Sequence, residues 1–262
     1  MVARTCSAAA RRASSSTNPD GAGSANLATM DLAQAMRALE AKGKPSTKRI
    51  YMRHGATEPL FGVSVADMKA ILKQAGRDHS LALRLYDTRN GDAQYLAALM
   101  ADAEAMTKKD LERWARTATW YMVREYSVAG VAADGPHGWS MGSKWIDARD
   151  AGVQTCGWAS LSGCLATRPD AELDLDCAGE LLQRVAGELH GAENRVRHAM
   201  NGFVIAAGAW VPALRRRALA VAKALGKVEV DMGGTACRVP DAAQAIAKAA
   251  SRATKKRASA RC

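Results

Sequence analysis

Residues 193–208 read Glu-Asn-Arg-Val-Arg-His-Ala-Met-Asn-Gly-Phe-Val-Ile-Ala-Ala-Gly, and their spacing is that of a helix. Val196, Ala199, Met200, Phe203, Val204 and Ala207 recur at helical intervals, which makes one apolar stripe facing a core. A turn of about 100° per residue sets Arg197, His198 and Asn201 on the opposite arc, with Arg195 at its edge. Gly202 falls inside the helix, where it costs roughly 1 kcal/mol relative to alanine, so a neighbouring helix or a ligand backbone is expected to come close there. The expectation is a buried helix whose polar face holds phosphate.

The same period extends through most of the chain. Leu32, Ala35, Met36 and Leu39 mark a first helix that Gly43 and Pro45 stop, and a second runs through residues 48–52. Ser64 is placed to cap a third, with Val65, Met68, Ile71 and Leu72 as its buried stripe. Further helices are expected at 81–86, 93–106, 107–116, 119–133, 138–148, 152–166 and 173–189, the fourth of these ended by Gly135-Pro136. After the opening stretch, Pro212 starts a helix that Gly226 ends, and Pro240 starts a last one reaching Ser251. Residues 227–240 are non-helical, and Gly233-Gly234-Thr235 lacks the lysine spacing of a phosphate loop. No useful strand alternation precedes Lys227, so the fold class is all-α.

An irregular repeat narrows the architecture. Val123-Arg124, Val153-Gln154 and Val196-Arg197 stand at intervals of 30 and 43 residues, each early in the second helix of a pair. These intervals bracket a two-helix solenoid unit, whose second helices line a concave face. Arg124, Gln154, Thr155, Arg197 and Asn201 would then share one surface. A plain helical bundle with chance valines is the alternative.

Composition bounds the partners. The chain of 262 residues has 37 Lys and Arg against 26 Asp and Glu, a net charge of +11 that favours polyanions. Scattered histidines at 54, 79, 137, 190 and 198 argue against a metal site, and no apolar run is long enough to span a membrane. Six cysteines without a regular framework are expected to be reduced, as in a cytoplasmic protein. Residues 1–28, rich in Ala, Ser and Arg, read as a disordered or non-native extension or as an organellar transit peptide. Residues 29–251 are the helical repeat domain, and 252–262 read as a basic disordered tail.

Several motifs in order also carry a resemblance. Tyr51-Met52-Arg53, Phe61-Gly62-Val63, Trp120-Tyr121-Met122-Val123 and Val196-Arg197-His198-Ala199 resemble the DNA alkylation repair family, the AlkD-like DNA glycosylases. The resemblance implies a curved HEAT-like α-solenoid that cradles duplex DNA, and excision of N3- or N7-alkylated purines without metal or organic cofactor. It places the family's active-site tryptophan on Trp120 and its catalytic aspartate on Arg124. A second active-site tryptophan falls close to Gly202, and a backbone-contacting arginine falls on Thr155.

Such excision needs a carboxylate beside the oxocarbenium-like sugar, and a cation at Arg124 would repel that charge. Glu125 is the candidate substitute, although one residue along a helix rotates it by about 100°. The expected nucleic-acid contacts are Trp120, Tyr121, Arg124, Gln154, Thr155, Arg195, Arg197, His198 and Asn201. The expected partner is the backbone of double-stranded DNA bound by a monomer, nucleoid-associated if the source is bacterial. A non-catalytic adaptor for DNA or for an acidic protein is the rival reading, and RNA is a third partner the charge allows.

Overall fold

Short polar side chains open most of the helices. Asp31, Ser64, Asp78, Asn90, Thr107, Asp150, Asp174 and Asp241 each accept a backbone N–H of the first turn that follows. Such caps satisfy donors that a helix start otherwise leaves bare, at about 0.5–2 kcal/mol each. The computed structural model describes residues 30–233, 235–251 and 255–261, so the expected extension at 1–28 lies outside the described residues.

The described residues form thirteen α-helices and no strand. They are α1 Leu32–Lys42, α2 Pro45–Arg53, α3 Val65–Ala75, α4 His79–Asp87, α5 Gly91–Met100, α6 Lys108–Thr117 and α7 Ala129–Asp134. Then come α8 Gly138–Trp145, α9 Ala151–Thr167, α10 Leu175–Glu188, α11 Asn194–Trp210, α12 Arg215–Leu225 and α13 Ala242–Ala250. The helix expected at 119–133 differs in one respect: Val123–Val128 is π-helical and runs straight into α7. Residues between α12 and α13 are non-helical, as expected.

Alternate helices form an inner row. The π-helical segment packs on α5, α9 lies between α7 and α11, and α4, α8 and α10 each back the helix that follows them. Burial follows from that order. All ten residues of α5 are buried, and α9, packed between α7, α8 and α11, buries ten of its seventeen. Close approach of α8 to α9 depends on Gly157, where an added Cβ would stand 2.7 Å from the Ile146 nitrogen.

The apolar stripe of α11 buries Val196, Met200, Phe203, Val204 and Ala207, and Phe203 meets Trp158 of α9 edge-on at 5.3 Å. Of the two expectations at Gly202, the neighbouring helix is not found. A Cβ there would meet nothing within 4 Å, so no backbone approaches it; the close approach is at Gly208, whose Cβ would lie 2.7 Å from Ile246.

Two expectations fail outside the helices. Residues 255–261, expected to be part of a disordered tail, hydrogen-bond to the ends of the inner helices. Cys177, expected as a free thiol, is disulfide-bonded, while Cys156, Cys164 and Cys237 are free. Burial pushes the Cys156 thiol up to about 12 and the Cys164 thiol to about 11, so neither is a nucleophile at neutral pH.

Candidate nucleic-acid interface

The inner helices meet around one carboxylate. Glu125, in the π-helical segment, has a side chain only 4% exposed and faces α11. Arg195 closes on it with two bonds, Nε to Oε1 at 2.8 Å and Nη2 to Oε2 at 2.6 Å, and His198 Nδ1 stands 3.7 Å from Oε2. The Arg195 guanidinium lies over the Tyr121 ring at 3.8 Å, a cation–π contact, and the Tyr121 hydroxyl is 3.1 Å from His54 Nδ1. Burial alone would lower the Arg195 pKa, but the bonds to Glu125 more than offset it and hold the guanidinium above its ordinary value. The carboxylate is therefore charge-compensated.

Arg124 points elsewhere, as the helical rotation requires. Its Nε donates to the Ala115 carbonyl at 3.2 Å, and its guanidinium fills the space over Gly152 at the start of α9. With Tyr121, Thr155, Asn194 and Arg195 it lines a cleft of about 260 Å³. A second groove of about 270 Å³ runs between α7, α9 and α11, lined by Glu125, Tyr126, Gly163, His198, Gly202 and Arg257 among others. Together these two depressions bring Arg124, Glu125, Arg195 and His198 to the inner face.

The structure does not assemble the five-residue ladder expected from the repeat. Val123, Val153 and Val196 are all buried, so the repeat is real as a packing register. The polar residues that follow them diverge. Gln154 Nε2 donates to the Ala148 carbonyl at 2.7 Å and lines a different cleft, beside Trp158 and Arg184. Thr155 is buried and bonds back to the Ala151 carbonyl. Arg197 donates to the Glu229 and Ala192 carbonyls, and Asn201, also buried, donates to the Pro240 carbonyl at 3.0 Å. Arg197 and Asn201 thus hold the non-helical segment 227–240 onto α11. Trp120 is 6% exposed and packed between Tyr51 at 5.3 Å and Tyr121 at 5.7 Å, beneath the surface that Tyr121 presents.

Some organising residues carried no sequence signal. Asp92 in α5 accepts the backbone N–H groups of Phe61, Gly62 and Val63 at 2.6, 2.8 and 3.0 Å, which pins that loop to the inner row. Gly62 is required there: its φ is +83°, and a Cβ would stand 2.5 Å from the Lys48 nitrogen. His54 and Asp134 were likewise unremarkable in sequence, because each acquires its partners from elements far along the chain.

A family profile described as DNA alkylation repair enzyme matches residues 35–250. The chain belongs to the DNA alkylation repair family. Its likeness to other members is substantial. It is 32% identical over 220 residues to uncharacterized protein Lin0241 of Listeria innocua serovar 6a, covering 82% of this chain and 95% of that one. Identity and coverage are the same for uncharacterized protein Lmo0209 of Listeria monocytogenes serovar 1/2a. A solved structure described as a new family of proteins related to the HEAT-like repeat DNA glycosylases, with affinity for branched DNA structures, superposes with a TM-score of 0.81 at 34% identity. That likeness covers 89% of this chain and all of the other, so the HEAT-like repeat fold holds for this alkylation repair family member throughout its helical domain.

Proposed function

We propose that this alkylation repair family member binds DNA on its inner face and does not excise bases there. The observation that carries the reading is the Glu125–Arg195 pair. Where the glycosylases of the resemblance place an aspartate, this chain has Arg124, and the adjacent carboxylate is occupied on both oxygens. To reach a sugar, Glu125 would have to leave a buried ion pair and strand Arg195, a change that costs several kcal/mol. The same arrangement suits backbone contact. Arg124 and Arg195 flank a cleft open at the surface, and a net charge of +11 draws phosphate toward it.

Branched DNA is the preferred form of that ligand, because the solved relative at 34% identity is described as having affinity for branched structures. Of the residues expected as contacts, Tyr121, Arg124, Thr155, Arg195 and His198 line the inner depressions, Thr155 as a buried wall residue. Trp120, Gln154, Arg197 and Asn201 lie outside those depressions and are held by packing and backbone bonds.

Fluorescence anisotropy with a four-way junction and a linear duplex of equal length tests binding. The junction is expected to bind at least about tenfold tighter, a difference of about 1.4 kcal/mol. Alkylated duplex incubated with the protein tests chemistry. No methylated purine should be released, and release that disappears in Glu125→Gln would overturn the non-catalytic reading.

A further inference from the structure

The C-terminal segment 255–261 crosses an edge of the inner face where three helices end. Helix ends leave carbonyls without partners and carry partial negative charge. Arg261 Nη1 reaches the Ala98 and Ala101 carbonyls at the end of α5, at 3.2 and 2.8 Å. At the end of α7, Asp134 accepts from the Ser259 hydroxyl, the Ala260 nitrogen and Arg261 Nε at 2.6, 2.6 and 2.8 Å. On α9, the Leu165 carbonyl accepts from Lys256 Nζ at 2.8 Å and the Ala166 carbonyl from the Arg257 nitrogen at 2.9 Å. Lys256 also pairs with Asp170 at 2.7 Å.

The seat is built into the inner helices. A Cβ on Gly130 would stand 3.0 Å from the Arg261 side chain, and one on Gly163 would stand 2.6 Å from Ala133 of α7 and 3.1 Å from Ala260. Each mid-helix glycine costs roughly 1 kcal/mol in its own helix; Gly130 leaves room for the segment, and Gly163 for both the segment and the close approach of α7. Two cations remain after the anchors are accounted for. Lys255 and Arg257 are exposed, and their side chains have no hydrogen-bond or ion-pair partner among the described residues. Arg257 lines the same groove as His198 and Gly202.

Charge explains what the segment does. Without it, this edge would present Asp134, Asp170 and three helix C-termini, a negative rim that repels a polyanion. With it, Lys256 and Arg261 neutralise the rim while Lys255 and Arg257 make its outer surface positive.

We propose that residues 255–261 are a fixed part of the DNA-binding face, with Lys255 and Arg257 as phosphate contacts and Lys256 and Arg261 as anchors. This rests on the DNA-binding reading above. The test compares full-length wild type, Lys255→Glu with Arg257→Glu, and Arg216→Glu with Lys223→Glu, an equal change of charge at exposed positions of α12. Affinity for a four-way junction is measured against salt. The tail variant is expected to bind at least about tenfold more weakly than the α12 variant, with the log–log salt slope smaller by about 1.8 for two lost phosphate contacts. Its thermal stability should match wild type, since both side chains are exposed. Equal weakening in the two variants, unchanged affinity, or tighter binding by the tail variant would each overturn the proposal, the last by making the segment a competitor for the groove. Wild type that binds no DNA would instead remove the reading on which the proposal stands.

Discussion

Two guanidinium N–H groups from α11 close on Glu125, and a tyrosine ring covers the cation from the other side. A carboxylate in that setting is one half of a buried ion pair. Breaking such a pair strands the remaining charge, which typically costs about 3–5 kcal/mol. Arg195→Ala is therefore expected to lose most of that amount in urea denaturation. Replacing both partners, Glu125→Leu with Arg195→Met, should lose clearly less, because no charge is left buried. Equal losses in the single and double variants would show that packing, and not charge pairing, holds the two helices there. Asp92 illustrates a different case, in which three backbone donors make a buried carboxylate the fixing point of a loop.

Between elements, the contact of α6 with α8 depends on one acidic residue. Glu112 accepts from Lys144 Nζ and Trp145 Nε1, each at 2.9 Å, and pairs with Arg116 one turn along α6. Burial raises its pKa, but the bonds to Lys144, Trp145 and Arg116 outweigh burial and hold it below the ordinary 4.5. A carboxylate with a lowered folded value contributes stability that is present above its unfolded pKa and lost as pH falls through the folded one. Unfolding free energy is thus expected to decline as pH drops below 4.5, and Glu112→Gln should flatten that decline while lowering stability at neutral pH. An acid limb identical to wild type in the variant would remove Glu112 from the cause. The π-helical segment matters at this scale as well, since it carries Glu125 toward α11 and Arg124 toward the start of α9.

Across the whole molecule, the DNA-binding reading requires the surplus of positive charge to act on phosphates. If about five are neutralised, the logarithm of the binding constant falls with log salt at a slope near −4 to −5. A titration of the four-way junction over a range of salt concentrations should give that line, and a slope near zero would rule out backbone contact as the main source of affinity. The positive surface is distributed differently from the ladder implied by the repeat. Arg124 lines the cleft at the start of α9, beside the paired Arg195, and Arg257 lines the groove at the other end of the inner helices.

Helical class, most element boundaries and the two-helix register were legible from residues 30–251, because capping side chains and apolar period are local properties. The family was legible too, from motifs such as Phe61-Gly62-Val63, whose glycine has a steric role in the structure. Side-chain partners were not. Arg197 and Asn201 have the spacing of an open polar face, yet segment 227–240 returns across α11 and takes their hydrogen bonds. Glu125 has the position of a free carboxylate, yet Arg195, seventy residues later, claims both of its oxygens. Periodicity records which side of a helix is covered by apolar neighbours. Which polar groups meet over long sequence separations depends on how the helices stack, and only the tertiary structure decided that.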